Sequence, residues 1–225
     1  MVTCMSAGAV SDLASTADTA VPPSPSAAVL QAAQTGLPVY LSHIALRKTT
    51  YGFLESDDLS QAKLGQPIEL FLLPDSMLHD ATPNMASASE LPSAAAWFVP
   101  VQIGGQSRGL IEVVQTGGQW KAASLGYAPL ARKWAQVETW WPNRSGFTPR
   151  LVVSASTGYY FSIPQVHPAN LTALDSIVDP RLGKTTTAPP SLIPWQDALT
   201  PLKNKGPDIS TQFGALNPSS PGAQP

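Results

Sequence analysis

The chain is short of cysteine and short of charge. One cysteine, Cys4, in 225 residues excludes an internal disulfide, so no cystine framework holds this protein together. Charged residues make up 12%, half of the usual ~25%. The 13 basic and 15 acidic side chains leave a net charge of -2, which supplies no bulk positive field, and nucleic acid is not expected as a partner. No stretch reaches the roughly 18 consecutive apolar residues that span a bilayer, so no transmembrane segment is expected. The opening residues Met1–Val10 carry no positive n-region. Ala7 and Ala9 fit the flank of a cleaved signal peptide and an Ala/Ser/Thr-rich leader equally well.

Recognisable reaction chemistry is equally scarce. No two of His43, His79 and His167 fall within one helical turn, and Cys4 lies in the leader, so neither a metal site nor a Cys–His nucleophilic pair is expected. The G-x-S-x-G string at Gly105–Gly109 falls at a Gly-Gly hairpin turn and not at the strand-to-helix turn of a nucleophile elbow, and the S-x-x-K string at Ser60–Lys63 stands without the partner motifs of that signature. Gly104–Gly105 followed by Gly109 lacks the Gly-Lys-Ser/Thr of a phosphate loop and sits between strand-like runs, so no cofactor is expected. Asp57 and Asp58 point about 100° apart if helical, and their place at a helix start explains them electrostatically. No catalytic residue is nominated.

Proline is plentiful, with 23 residues, about twice the average share of ~5%. It concentrates toward the ends, which predicts a disordered Pro/Ala/Ser-rich leader over 1–26 and a Pro-rich tail over 180–225, the latter partly docked near Trp195. Between them, 27–179 reads as one domain interrupted by a long loop at 75–96. The 43% apolar content is ample for one core.

Ser26 is placed to cap a helix from Ala27, with Gly36 and Pro38 marking its end, while Val39–Leu46 fits a helical continuation or a strand. A short helix is predicted from Ser56 to Gly65, and Pro67–Pro74 encloses a strand-sized apolar run. The clearest signal is Trp97–Leu125: three strand-length pieces joined by Gly104–Gly105 and Gly117–Gly118, a three-stranded meander. Val99, Val101 and Ile103 alternate with Pro100 and Gln102, which predicts a sheet covered on one face. Leu130, Trp134, Val137 and Trp141 behind Pro129 predict an amphipathic helix. Arg150–Ala155 and Tyr159–Ile163 predict a second hairpin, and Leu171–Val178 a terminal helix. The expected fold is therefore α+β: an antiparallel sheet of five to six strands around the meander, packed on one face by two to four helices.

Aromatic residues supply the candidate contact surface. With Trp134 and Trp141 turned inward, Trp140 is pushed toward the rim, and Tyr159 and Tyr160 alternate across a strand so that one faces out. Trp140, Tyr159 and Tyr160 are thus the expected binding residues. Arg132–Lys133 reads as a solvated pair, and Asn143–Arg144–Ser145 and Asn170–Leu171–Thr172 fit the glycosylation acceptor pattern. The expected function is a non-catalytic module recognising a protein, peptide or surface polymer. The alternatives are a hydrolase without a recognisable motif, with His43, His79 or His167 as base, and a structural or assembly subunit. Low Lys and Glu with abundant Ala, Ser, Thr, Gln and Pro leans toward a location outside the cytoplasm.

Overall fold

The computed structural model describes residues 25–74, 91–142, 145–154, 158–163, 172–174, 189 and 193–194. Residues 1–24 of the predicted 1–26 leader, most of the 75–96 loop, Cys4, His79, His167 and Trp195 lie outside the described residues, while Pro25 and Ser26 belong to the first helix, so that Ser26 is not its cap.

The fold is α+β, with one mixed, mostly antiparallel sheet and two α-helices among the described residues. Helix α1 spans Pro25–Ile44. Strands β1 (Lys63–Leu64) and β2 (Ile68–Leu72) lead to the meander, β3 (Ser93–Ile103), β4 (Gln106–Thr116) and β5 (Gln119–Gly126). Helix α2 spans Ala128–Trp140 and is followed by β6 (Arg150–Ser154), β7 (Gly158–Ile163), β8 (Thr172–Leu174) and β9 (Ile193–Pro194). The sheet order is β5-β4-β3-β2-β6-β7-β8-β9, with β1 also on β3.

The meander is formed as its glycines predict. Gly104, Gly105, Gly117 and Gly118 all take positive φ, between 58° and 77°, as two-residue hairpin loops with the twist of their flanking strands require. The second hairpin is present as well, with Leu151 opposite Phe161 and Val153 opposite Tyr159. Strand β3 starts at Ser93 and so takes in the end of the expected 75–96 loop.

Several expectations need correction. The sheet is not purely antiparallel, because β2 runs parallel to β6, Leu70 facing Leu151. The meander and α2 form the long crossover that a parallel pair needs. Nor are the helices on one face. Phe98, Leu110, Leu151, Phe161 and Ile163 pack under Leu130, Trp134 and Val137 of α2. Their alternates Val99, Val101, Ile111, Val113 and Leu125 pack under Val29, Ala33, Tyr40 and Ile44 of α1. Phe98–Val99–Pro100–Val101 is buried residue after residue, the mark of a strand covered on both sides.

Helix α1 does not stop at Gly36 and Pro38 but runs to Ile44. An interior proline costs about 3 kcal/mol, yet Tyr40 and Ile44 beyond it are buried at 8% and 3% exposure, worth about 1.5–3 kcal/mol each. A Cβ on Gly36 would lie 2.5 Å from Ala122 Cβ, so this glycine lets α1 approach β5 closely. The predicted helix from Ser56 is instead a 3-10 turn, Leu59–Gln61, whose first N–H groups are capped by Asp58 through Ser60 N at 3.0 Å. The predicted helix at Leu171–Val178 is replaced over Thr172–Leu174 by a strand paired with β7.

Candidate functional site

Helix α1 contains no Lys, Arg, Asp or Glu in 20 residues. Its inner side packs on the sheet through Val29, Ala33, Tyr40 and Ile44. Along its flank, Ala28, Ala32, Gly36 and Val39 line an open groove of about 630 Å³ together with Trp120 and Ala122 of β5. Val39 is 53% exposed beside it. Gln31, Thr35, Gln119 and Lys121 complete the lining, in which Lys121 is the one charged residue.

Strand β5 forms one edge of the sheet, its partner among the described strands being β4. Its backbone directions follow from the turn. Thr116 faces Gln119 across the Gly117–Gly118 loop, and such a loop closes on a pair that exchanges both backbone hydrogen bonds. Bonded and non-bonded pairs alternate from there. Trp120 opposite Gln115 and Ala122 opposite Val113 are thus non-bonded pairs, whose N–H and C=O groups point toward the free edge. One of these four groups is engaged: the Tyr40 hydroxyl donates to the Ala122 carbonyl at 3.1 Å, tying α1 to β5. Burial, reinforced by the charge of Glu112, holds that hydroxyl above its ordinary pKa. The register then shifts at Ala123, so the straight part of the edge ends where the groove ends.

The aromatic residues singled out from the sequence do not form one surface. Trp140 is half-buried at the end of α2, edge-on to Trp141 at 5.5 Å, with Lys133 Nζ 5.3 Å above its ring. Lys133 is therefore not simply solvated, and its partial burial lowers its pKa. Tyr159 lies on the α2 side in a cluster with Phe98 at 6.0 Å and Tyr127 at 6.3 Å. Tyr160 points to the opposite side of the sheet and is 4% exposed, so neither tyrosine faces outward.

That cluster encloses a small polar network. Ser124 Oγ donates to Glu112 Oε2 at 2.9 Å, and the Tyr127 hydroxyl donates to the same oxygen at 3.2 Å. Burial first, and the Glu112 carboxylate second, push Tyr127 up to about 12; Tyr159 is raised by burial and by Tyr127 and Glu112. Both hydroxyls are held protonated, which suits them to donating hydrogen bonds and not to acting as bases near neutral pH.

Asp57 is not at a helix start. It is buried at 6% exposure and takes a two-pronged contact from Arg108, Nε to Oδ2 at 2.9 Å and a terminal guanidinium nitrogen to Oδ1 at 3.0 Å. Its Oδ2 also accepts from Leu54 N–H at 2.7 Å. This pair fixes the 47–58 segment on β4 and has a structural explanation. His43 is exposed at the end of α1. Among the described residues no three of His, Cys, Asp and Glu gather around a common point, and no helix is long and apolar enough to cross a membrane.

The α1–β5 groove was missed from the sequence. Its signal was a helix-length segment without a formal charge, followed far downstream by a glycine-turned strand whose tryptophan is only partly buried. Compared with protein-family models, curated proteins and solved structures, the chain shows no match.

Proposed function

We propose that this chain is a non-catalytic binding module that holds a segment of another protein or peptide in the groove between α1 and β5. The carrying observation is a surface helix of 20 residues without Lys, Arg, Asp or Glu, whose flank opens onto an apolar groove with Val39 half-exposed. Solvent-facing helix surfaces ordinarily carry charge. An apolar cleft with a few polar groups in its lining is instead the form of an interaction site. A protein segment suits the place better than a surface polymer, because the groove is bordered by main-chain groups of a sheet edge. Trp140 enters the proposal as a second contact at the end of α2, with Tyr159 and Tyr160 as supports for the sheet beneath that end and not as direct contacts.

The test is selection of random octapeptides displayed on phage against the full chain, counter-screened with Val39→Asp. Val39 is exposed enough for the change to leave folding within about 0.5 kcal/mol. Peptides enriched on the wild-type chain are expected to lose at least tenfold in affinity on the variant. A selection that enriches nothing, or peptides that bind both proteins equally, overturns the reading.

A further inference from the structure

We infer that the bound segment joins the sheet as an added strand on β5, and that it carries small apolar side chains on one side and a carboxylate on the other. This rests on the groove reading above. Trp120 N–H, Trp120 C=O and Ala122 N–H point out of the free edge, while the fourth outward group is already held by Tyr40. The straight stretch of Gln119–Ala122 is about 13 Å long at ~3.3 Å per residue, room for about four residues of extended backbone.

Side-chain direction then sets the chemistry of the partner. Trp120 and Ala122 lie on the α1 side, so every second residue of the added strand faces the groove. There the walls are Ala32, Gly36 and Val39, which favour small apolar groups. Lys121 lies between them and points to the other side of the sheet, where it is exposed. Lys121 is paired with no carboxylate among the described residues, the Asp57–Arg108 pair lying elsewhere on the sheet. An acidic residue directly across from it completes a cross-strand pair.

A second copy of this chain is the poorer occupant. Two β5 strands joined antiparallel through the outward groups of Trp120 and Ala122 would set Lys121 opposite Lys121, at the closer spacing of a non-bonded pair. Like charges placed so are destabilising, and an edge lysine is a common guard against self-pairing.

The experiment uses blocked octapeptides in which Ala, Val and Ser alternate with Glu or with Lys, together with versions N-methylated at one or the other alternate set of backbone nitrogens. Affinity for the full chain is read by fluorescence anisotropy. The Glu series is expected to bind at least tenfold more tightly than the Lys series, and Lys121→Glu to reverse that order. N-methylation of one set is expected to weaken binding tenfold or more and of the other set hardly at all. If binding is lost in Val39→Asp yet both methylated sets behave alike, or Lys121→Glu leaves the order unchanged, the added strand is wrong and the groove reading stands. If neither displayed nor synthetic peptides bind, both fall. A dimer in sedimentation velocity at micromolar concentration that the peptides cannot dissociate replaces the partner segment with a second copy and overturns the inference.

Discussion

Asp57 shows how much one side chain's surroundings alter its meaning. Beside Asp58 in the sequence it reads as one of two helix-start carboxylates, but only Asp58 acts as a cap. Asp57 turns inward to Arg108, a residue 51 positions away that no local pattern links to it. Removing one member of a buried pair strands the other, which costs about 3 kcal/mol or more. Arg108→Ala is therefore expected to lower stability to urea by about 3 kcal/mol. Adding Asp57→Asn should recover part of the loss, since the amide oxygen can still accept from Leu54 N–H. A loss under about 1 kcal/mol in the single variant would mean the pair behaves as a solvated surface contact.

Among the elements, the meander was legible and α1 was not, for a physical reason. A Gly-Gly doublet has few uses between two β-rich runs, and both doublets form the expected turns. Gly36 and Pro38 are local stop signals, but Tyr40 and Ile44 beyond them find buried positions on the sheet, and tertiary burial outweighs the local preference. The α2 pattern was legible because its buried residues Leu130, Trp134 and Val137 keep helical spacing within one short segment. Trp140, Tyr159 and Tyr160 were visible as aromatics, but their exposure depends on what packs across the sheet, which spacing does not encode. Gly36→Ala supplies a direct check on the α1–β5 contact. Alanine improves helix propensity, yet here its methyl meets Ala122 at 2.5 Å. A loss of about 1–3 kcal/mol is expected from overpacking, relieved when Ala122→Gly is added. Stabilisation by Gly36→Ala alone would show that the helix can move away at no cost.

The molecule as a whole is a sheet enclosed from both sides, with α1 over the meander and α2 over the central strands. The one parallel junction among the described strands, β2 against β6, ties the two halves of that sheet together. Each strand of the meander meets a neighbour a short turn away, whereas β2 must wait for β6 until β3, β4, β5 and α2 have all been laid down. Closing so long a loop is entropically slow compared with forming hairpins. The chain should accordingly assemble in a fixed sequence, the hairpins of 93–126 first and the β2–β6 seam last. Pulse-labelling hydrogen exchange during refolding is expected to protect amides of Val99, Ile111 and Val113 before those of Leu151 and Val153, whose backbone groups face β2, and simultaneous protection would refute this order. On a ribosome the same logic leaves β2 with a bare flank through most of translation, so the nascent chain is most vulnerable to mispairing just before β6 emerges.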